Sequence, residues 1–217
     1  APRMAKLHAE SPLPSCVAVC SNAVVLQRSH SPLANSAPGP VRWRLLLIVS
    51  QVHPGAAMLR DLPLASEAGP MPRLPAELAA EGLRRAKAIE CFDFVPSNCC
   101  VVYAVLSALP RARLCEWGSG MGVVTGLAQT LGFDARGIEI DPRLAAESRR
   151  LLADFGLAPK ITTGDYLQLN CPVDIYFTYC WPGQMSRVEE RFAVIAPDHA
   201  RLLICHGAED IRCRVKE

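Results

Sequence analysis

The sequence lacks the patterns that most readily assign a chain to a functional class. It has no C-x-x-C pair, so the ligand spacing typical of zinc sites is missing despite ten cysteines, and we expect no metal. It has no run of Lys or Arg, and residues 86–217 carry fourteen basic and sixteen acidic side chains. Because nucleic-acid-binding surfaces are basic patches or stripes, we expect no nucleic-acid partner.

Long apolar runs are also missing from the N-terminal part of the chain. The run Leu45–Val49 is far shorter than the roughly 20 residues that a membrane span needs. It lies too far from the first residue to resemble a secretory signal. We therefore expect no membrane association, a cytoplasmic location and reduced cysteines.

The first 73 residues differ in composition from the rest. Prolines recur at positions 12, 14, 32, 38 and 40, and hydrophobic periodicity is poor. Such sequences favour irregular chain. We expect residues 1–73 to be poorly ordered and residues 74–217 to form one domain. One interpretation is that translation begins at Met58 or Met71 and that the preceding residues are an extended reading frame.

The most informative segment is a glycine turn between an apolar strand and a helix, spanning residues 114–122 with the sequence L-C-E-W-G-S-G-M-G. Glycine has no Cβ and tolerates positive φ, so the main chain of such a turn passes close to a ligand. A dinucleotide fingerprint, G-x-G-x-x-G, would need its third glycine at position 123. That position is Val123, and the third glycine is Gly122. A nicotinamide or flavin enzyme is therefore the weaker alternative.

Strands and helices alternate after this turn. A second strand, residues 135–140, includes Glu139, twenty-one residues after Gly118, where an acidic side chain in nucleotide-binding folds accepts hydrogen bonds from ribose. Asp141 suits the N-cap of the next helix and Pro142 its first position. Further strands are predicted at 160–163, 173–179, 200–205 and, at an edge, 210–216. This alternation predicts a parallel sheet with ligands at the carboxyl ends of its strands.

The order E-x-G-x-G-x-G at residues 116–122 resembles the first motif of the class I S-adenosylmethionine-dependent methyltransferases, and the resemblance covers roughly residues 92–217. It implies an α/β fold, a Rossmann-like three-layer α/β/α sandwich with a mostly parallel sheet and an antiparallel edge strand. It also implies S-adenosyl-L-methionine as cofactor. The implied cofactor-binding residues are Glu116, Gly118, Ser119, Gly120, Met121 and Gly122 around the methionine part, Glu139 at the ribose with Ile140 beside it, and Asp165 and Tyr166 at the adenine.

The chain departs from the family pattern near its end. It has room for one strand after the fifth, where the family usually has two, so we expect an abbreviated C-terminus. The sheet edge left free in this way could accept a partner.

The residues that follow the fourth strand line the acceptor site in this family. Here they read Tyr179-Cys180-Trp181-Pro182, without the Asn/Asp/Ser-Pro-Pro-aromatic motif of DNA amino-methylating enzymes. Tyr179 and Trp181 are weak candidates for a substrate site, as an aromatic wall that attracts a cationic amine. Packing is the alternative role for both.

The predicted function is methyl transfer to an unidentified acceptor, either a protein or a small molecule. A protein lysine or a small amine is slightly favoured, because residues 94–97, Phe-Val-Pro-Ser, resemble a segment of relatives that methylate protein lysines. We expect a helix over residues 98–109 with Ser97 as its N-cap. No catalytic residue is assigned. The alternative is a non-catalytic, cofactor-binding subunit of a methyltransferase complex.

Overall fold

The computed structural model describes residues 59–64, 69–89, 94–158, 160–207 and 210–217. The described chain contains seven strands and five α-helices. In chain order these are β1 Leu59–Leu62, α1 Arg73–Ala86, α2 Cys99–Ser107, β2 Arg113–Trp117, α3 Val123–Thr130, β3 Asp134–Glu139, α4 Pro142–Asp154, β4 Ile161–Thr163, β5 Ile175–Tyr179, α5 Met185–Ile195, β6 Arg201–His206 and β7 Asp210–Lys216.

All seven strands belong to one sheet, in the order β1-β7-β6-β5-β2-β3-β4. The five strands from β6 to β4 are parallel, whereas β7 runs antiparallel to β6 and β1 antiparallel to β7. The predicted α/β fold with a mostly parallel sheet and an antiparallel edge is thereby confirmed.

The sheet is covered on both faces, as parallel sheets require. Alternate residues of β2 show this: Leu114 packs in the core beneath α1 to α4, and Cys115 and Trp117 pack in the core beneath α5. The motif strand is therefore apolar on both sides. Its carboxyl end emerges between two layers of helix, where a ligand can reach it.

Strand β1 differs from the sequence expectation. It lies within residues 1–73, which we expected to be poorly ordered, and pairs with β7 from Leu59 opposite Lys216 to Leu62 opposite Cys213. The prediction is wrong for these four residues, and residues 1–58 lie outside the described chain. The edge of β7, predicted to be free, is occupied by β1. Residues 59–62 therefore form an edge strand of the same sheet.

The helix ends follow their capping residues. The side chain of Asp141 accepts a hydrogen bond from the amide of Arg143, and Pro142 begins α4, as predicted. The predicted cap of α2 is wrong by one position, because Asn98, not Ser97, accepts from the amides of Cys100 and Val101. Within the described residues, no helix is long and apolar enough to cross a membrane.

Candidate functional site

The glycine turn forms a loop between β2 and α3 at the carboxyl end of the motif strand. Gly118, Gly120 and Gly122 have φ values of 72°, 50° and 70°, in the left-handed region that glycine adopts without strain. The amides of Gly118 and Ser119 both donate to the carbonyl of Ile138, at 2.9 Å. The loop is therefore fixed to β3 through its main chain.

Glu139, at the end of β3, is connected to this loop through its carboxylate. One oxygen, Oε2, accepts from the amide of Gly120 at 2.6 Å, and Oε1 accepts from the amide of Asp141 at 2.8 Å. An ionised carboxylate offers about four lone-pair sites, so each oxygen can accept a further hydrogen bond. The structure thus holds this buried carboxylate in one orientation with acceptor capacity left for a ligand.

Glu116 lies beneath the loop and contacts α3. Its Oε2 accepts from both the amide and the hydroxyl of Thr125, at 2.8 and 2.6 Å. Complete burial raises the pKa of Glu116 to about 8, although the two hydrogen bonds from Thr125 act in the opposite direction. These contacts fix the start of α3 to β2 and so position the glycine loop. Met121, also predicted at the site, has its side chain in the core, which leaves its main chain for a ligand.

The space above the glycine loop is open at Gly118 and filled by Phe94 at Gly120. No atom lies within 4 Å of the position that a Cβ would take at Gly118. A Cβ at Gly120 would overlap the aromatic ring of Phe94. Phe94 belongs to the segment before α2, so this segment crosses the loop at Gly120 and leaves the approach to Gly118 free.

The end of β4 lies next to the end of β3. The amide of Gly164 donates to the carbonyl of Glu139 at 2.8 Å. Asp165 accepts from the amide of Leu167 at 2.8 Å and from the side chain of Gln168 at 3.2 Å, and this shapes the turn. Ile140 is 67% exposed. Ile140 lies between Glu139 and Asp141 in the sequence, and its exposed side chain is an apolar surface available to a flat ring.

Tyr166 stacks on Trp117, with ring centroids 5.2 Å apart and planes within 12°. Trp117 also contacts Tyr176 edge-on at 4.9 Å. Partial burial raises the pKa of Tyr166. The tryptophan at the end of the motif strand therefore packs beneath Tyr166 and fixes the position of this predicted adenine neighbour.

Tyr179 and Trp181 meet at the end of β5, the predicted acceptor side. Their rings are 6.3 Å apart in an edge-to-face arrangement, and Trp181 is 47% exposed. Cys180 between them is buried, and burial raises the pKa of its thiol. Its Sγ donates to the carbonyl of Trp181 at 3.4 Å. Trp181 is therefore accessible from solvent, Tyr179 is half-buried against the core, and Cys180 is buried.

Sequence reasoning left two contacts of the site unassigned. Thr125 holds Glu116, and Phe94 covers Gly120. Both contacts depend on how segments that are distant in sequence pack, so neither residue type signals its contact by itself.

Comparison with known proteins supports the fold. Neither a family model nor a curated protein sequence matches the chain. A methyltransferase structure from Geobacter sulfurreducens matches 69% of this chain and 93% of that chain, with 16% identity and a TM-score of 0.53. An RNA methyltransferase from Salinibacter ruber, solved with S-adenosyl-L-homocysteine, matches 68% and 93% respectively, with 17% identity and a TM-score of 0.43. The PH0226 protein from Pyrococcus horikoshii matches 44% of this chain and 49% of its own, with 14% identity and a TM-score of 0.40, so the chain spans about half of that protein. The similarity to the Geobacter structure shows that the two chains share an α/β, Rossmann-like fold.

Proposed function

We propose that this chain binds S-adenosyl-L-methionine across the carboxyl ends of β2, β3 and β4 and transfers its methyl group to an acceptor. The observation that carries the proposal is the carboxylate of Glu139, which the amides of Gly120 and Asp141 fix at the strand end beside an open glycine turn. Ligands of open α/β sheets bind in this crevice.

The chain's own groups fit the three parts of this cofactor. The remaining lone pairs of Glu139 can accept from the two ribose hydroxyls. The open main chain at Gly118 can approach the methionine part. Ile140, which is exposed, and Asp165 are the groups that we assign to the adenine ring, with Tyr166 held in place by Trp117.

The cofactor supplies a methyl group on a positively charged sulfur, already activated for in-line transfer. The contribution of the protein is then to align donor and acceptor, and well-oriented reactants gain roughly 7–11 kcal/mol. Phe94, in the segment before α2, lies over the glycine loop at Gly120. It can therefore exclude water from above the cofactor and shape the path of the acceptor.

An amine acceptor, either a protein lysine or a small amine, is supported by the aromatic pair at the end of β5. A cation within about 6 Å of an aromatic face gains roughly 0.5–2 kcal/mol. Trp181 is exposed and Tyr179 holds it edge-on, so one face is accessible to such a group.

Calorimetric titration of the full chain with S-adenosylmethionine, S-adenosylhomocysteine and NAD tests the cofactor. Micromolar binding of the two adenosyl ligands without binding of NAD is expected. In Glu139→Ala, loss of hydrogen bonds to a charged group, worth roughly 1.5–3 kcal/mol, should weaken binding about 10- to 100-fold. Glu190→Ala, which removes an exposed carboxylate from α5, is the matched control and should bind normally. Unchanged affinity in a folded Glu139→Ala protein contradicts the proposed site.

The transfer itself is tested by incubating the chain and labelled cofactor with lysine-containing peptides, intact proteins and small amines. Trp181→Ala should raise KM for an amine acceptor by about 2- to 10-fold, the range that a partly exposed cation–π contact provides. Cofactor binding without turnover on any acceptor would instead favour the non-catalytic subunit.

A further inference from the structure

Two buried carboxyl groups lie on the same face of the sheet at the proposed cofactor site. Glu116 and Glu139 are each 6% exposed. Glu116 of β2 is in register with Gly137 of β3. Glu139 follows Gly137 by two residues on the same strand, so both positions share one face of the sheet. The two carboxyl groups are therefore diagonal neighbours on adjacent strands.

No cation compensates for this pair of acidic groups. Within the described residues, the hydrogen bonds to the two carboxyl groups come from main-chain amides and the hydroxyl of Thr125, and neither group forms an ion pair. Helix α3, which packs on β2, carries no charged residue. Strand β5 places Phe177 opposite Glu116, and Tyr179 follows on the same face. Partial burial raises the pKa of Tyr179, so its hydroxyl stays neutral. The charged neighbour of Glu116 is thus another acid.

The hydrogen bonds indicate which of the two groups carries the negative charge. Each oxygen of Glu139 accepts from a main-chain amide, and such donors stabilise a carboxylate. Both donors of Thr125 bind Oε2 of Glu116, and no hydrogen bond within the described part of the chain joins Oε1. Because two like charges are costly in a buried setting, one group keeps a proton. Glu116, with one oxygen unoccupied, is that group.

The acidity of Glu116 agrees with this assignment. Burial, with a smaller contribution from repulsion by Glu139, raises the pKa of Glu116 to about 8, against the effect of the hydrogen bonds from Thr125. A nearby positive charge would act in the opposite direction and favour the carboxylate.

The space for such a charge lies at Gly118, two residues after Glu116. No atom lies within 4 Å of the position that a Cβ would take there. The methionine part of the proposed cofactor is assigned to this space, and it carries an α-ammonium group. A cation at this position can replace the proton of Glu116 as the charge that offsets the two acids.

We propose that binding of the cofactor exchanges the proton of Glu116 for the α-ammonium group of the ligand, so that binding releases one proton and strengthens as the pH rises towards neutrality. The O–H bond of the carboxyl group breaks, the proton passes to the buffer, and the carboxylate that remains pairs with the ammonium group. This inference rests on the proposed function, because it needs the amino-acid part of the ligand beside Gly118. It makes Glu116 the residue that selects adenosyl ligands with an ammonium group over those without one.

Calorimetric titration of the full-length chain with S-adenosylhomocysteine in two buffers counts the protons released. Phosphate and imidazole at pH 6.5 are suitable, because their ionisation enthalpies differ and the difference between the two binding heats gives the number of protons. At this pH the α-amino group of the ligand is charged, and Glu116 is almost fully protonated in the free protein. We expect release of about one proton per ligand and a Kd that falls about 5- to 10-fold from pH 6 to pH 7.

Two variants and one further ligand assign this proton. Glu116→Gln keeps a carbonyl oxygen for Thr125 but has no acidic proton, so it should bind S-adenosylhomocysteine with almost no release and little dependence on pH. Glu190→Gln removes an exposed carboxylate from α5 and is the matched control, which should behave as the unmodified chain does. The ligand 5′-methylthioadenosine lacks the amino-acid part, so the unmodified chain should bind it more weakly and without the release.

Equal binding heats for S-adenosylhomocysteine in the two buffers would overturn the proposal and leave the proposed function intact. Release of a full proton by Glu116→Gln, or on binding of 5′-methylthioadenosine, would also overturn it, because the proton would then come from another group. Absence of any binding of S-adenosylhomocysteine would contradict the proposed function, and this inference with it.

Discussion

Glu116→Gln should make the protein less sensitive to pH between 5 and 8. Both donors of Thr125 bind the same oxygen of Glu116, so the single carbonyl oxygen of glutamine can retain both hydrogen bonds. The substitution therefore removes an ionisable group and little else. The difference in pH dependence between the two proteins therefore reports the titration of Glu116, including its repulsion by the nearby carboxylate of Glu139.

The sign of the effect follows from the raised pKa of Glu116. The folded protein keeps the proton up to about pH 8, whereas the unfolded chain releases it near 4.5. The folded state therefore binds more protons in this window, and stability is lost as the pH rises through it. Each pKa unit corresponds to about 1.4 kcal/mol, so the free energy of unfolding should fall by roughly 3–4 kcal/mol between pH 5 and 8 relative to Glu116→Gln.

Urea denaturation followed by tryptophan fluorescence measures this difference, since Trp117 is buried in the folded state. The two proteins should have similar stability at pH 5, and the glutamine variant should be the more stable one at pH 8. Asp174→Asn is the control. Arg113 lowers the pKa of the Asp174 carboxyl in the unmodified chain. The stability that Asp174 contributes is therefore present above the unfolded pKa and is lost only as the pH falls below about 4. Parallel curves for the unmodified chain and Glu116→Gln would refute the reasoning.

Two further perturbations test the loop and the sheet edge. Gly120→Ala should lower the free energy of unfolding by roughly 1–3 kcal/mol and weaken S-adenosylmethionine binding, because φ is +50° and the new Cβ meets Phe94. Thermal denaturation measures the first effect and calorimetry the second. Gly69→Ala is the control, since its new Cβ would have no atom within 4 Å. Removal of residues 1–64 deletes β1 and exposes the edge of β7, so sedimentation should show self-association that depends on concentration. A monomer of unchanged thermal stability would contradict the structural role of β1.

The parts of the fold that the sequence predicted are those with strong local signals. The apolar motif strand, the glycine turn and the Asp141-Pro142 helix start each carry residues that suit one conformation. Strand β1 could not be predicted because its four residues, L-R-D-L, include two charges and no alternation. Its pairing depends on β7, about 150 residues later, and such a contact leaves no periodic trace in a short segment. The cap of α2 was misplaced because Ser97 and Asn98 are both good caps, and only the backbone geometry distinguishes them.

The site shows the same division between local and long-range information. The glycine spacing and the distance to Glu139 indicated which main-chain and acidic groups would meet, and the structure brings Glu139 onto the amide of Gly120. The contact of Thr125 with Glu116 and the position of Phe94 follow from how α3 and the segment before α2 pack. Neither residue type signals that contact by itself, so these contacts required the fold.

The position of β1 also changes the expectation about partners. A protein that adds a strand to β7 must now displace β1, which pairs along four residues and whose Arg60 is bound by Glu217 at 2.8 Å. Within the described residues, β1 is an edge strand, and Arg60 and Asp61 place charges there, a common defence of edge strands against pairing. At the other edge, β4 has only three residues, which limits the hydrogen bonds available to an added strand. A partner is therefore better sought at the carboxyl ends of the strands, where Ile140 and Trp181 are exposed, than along either edge of the sheet.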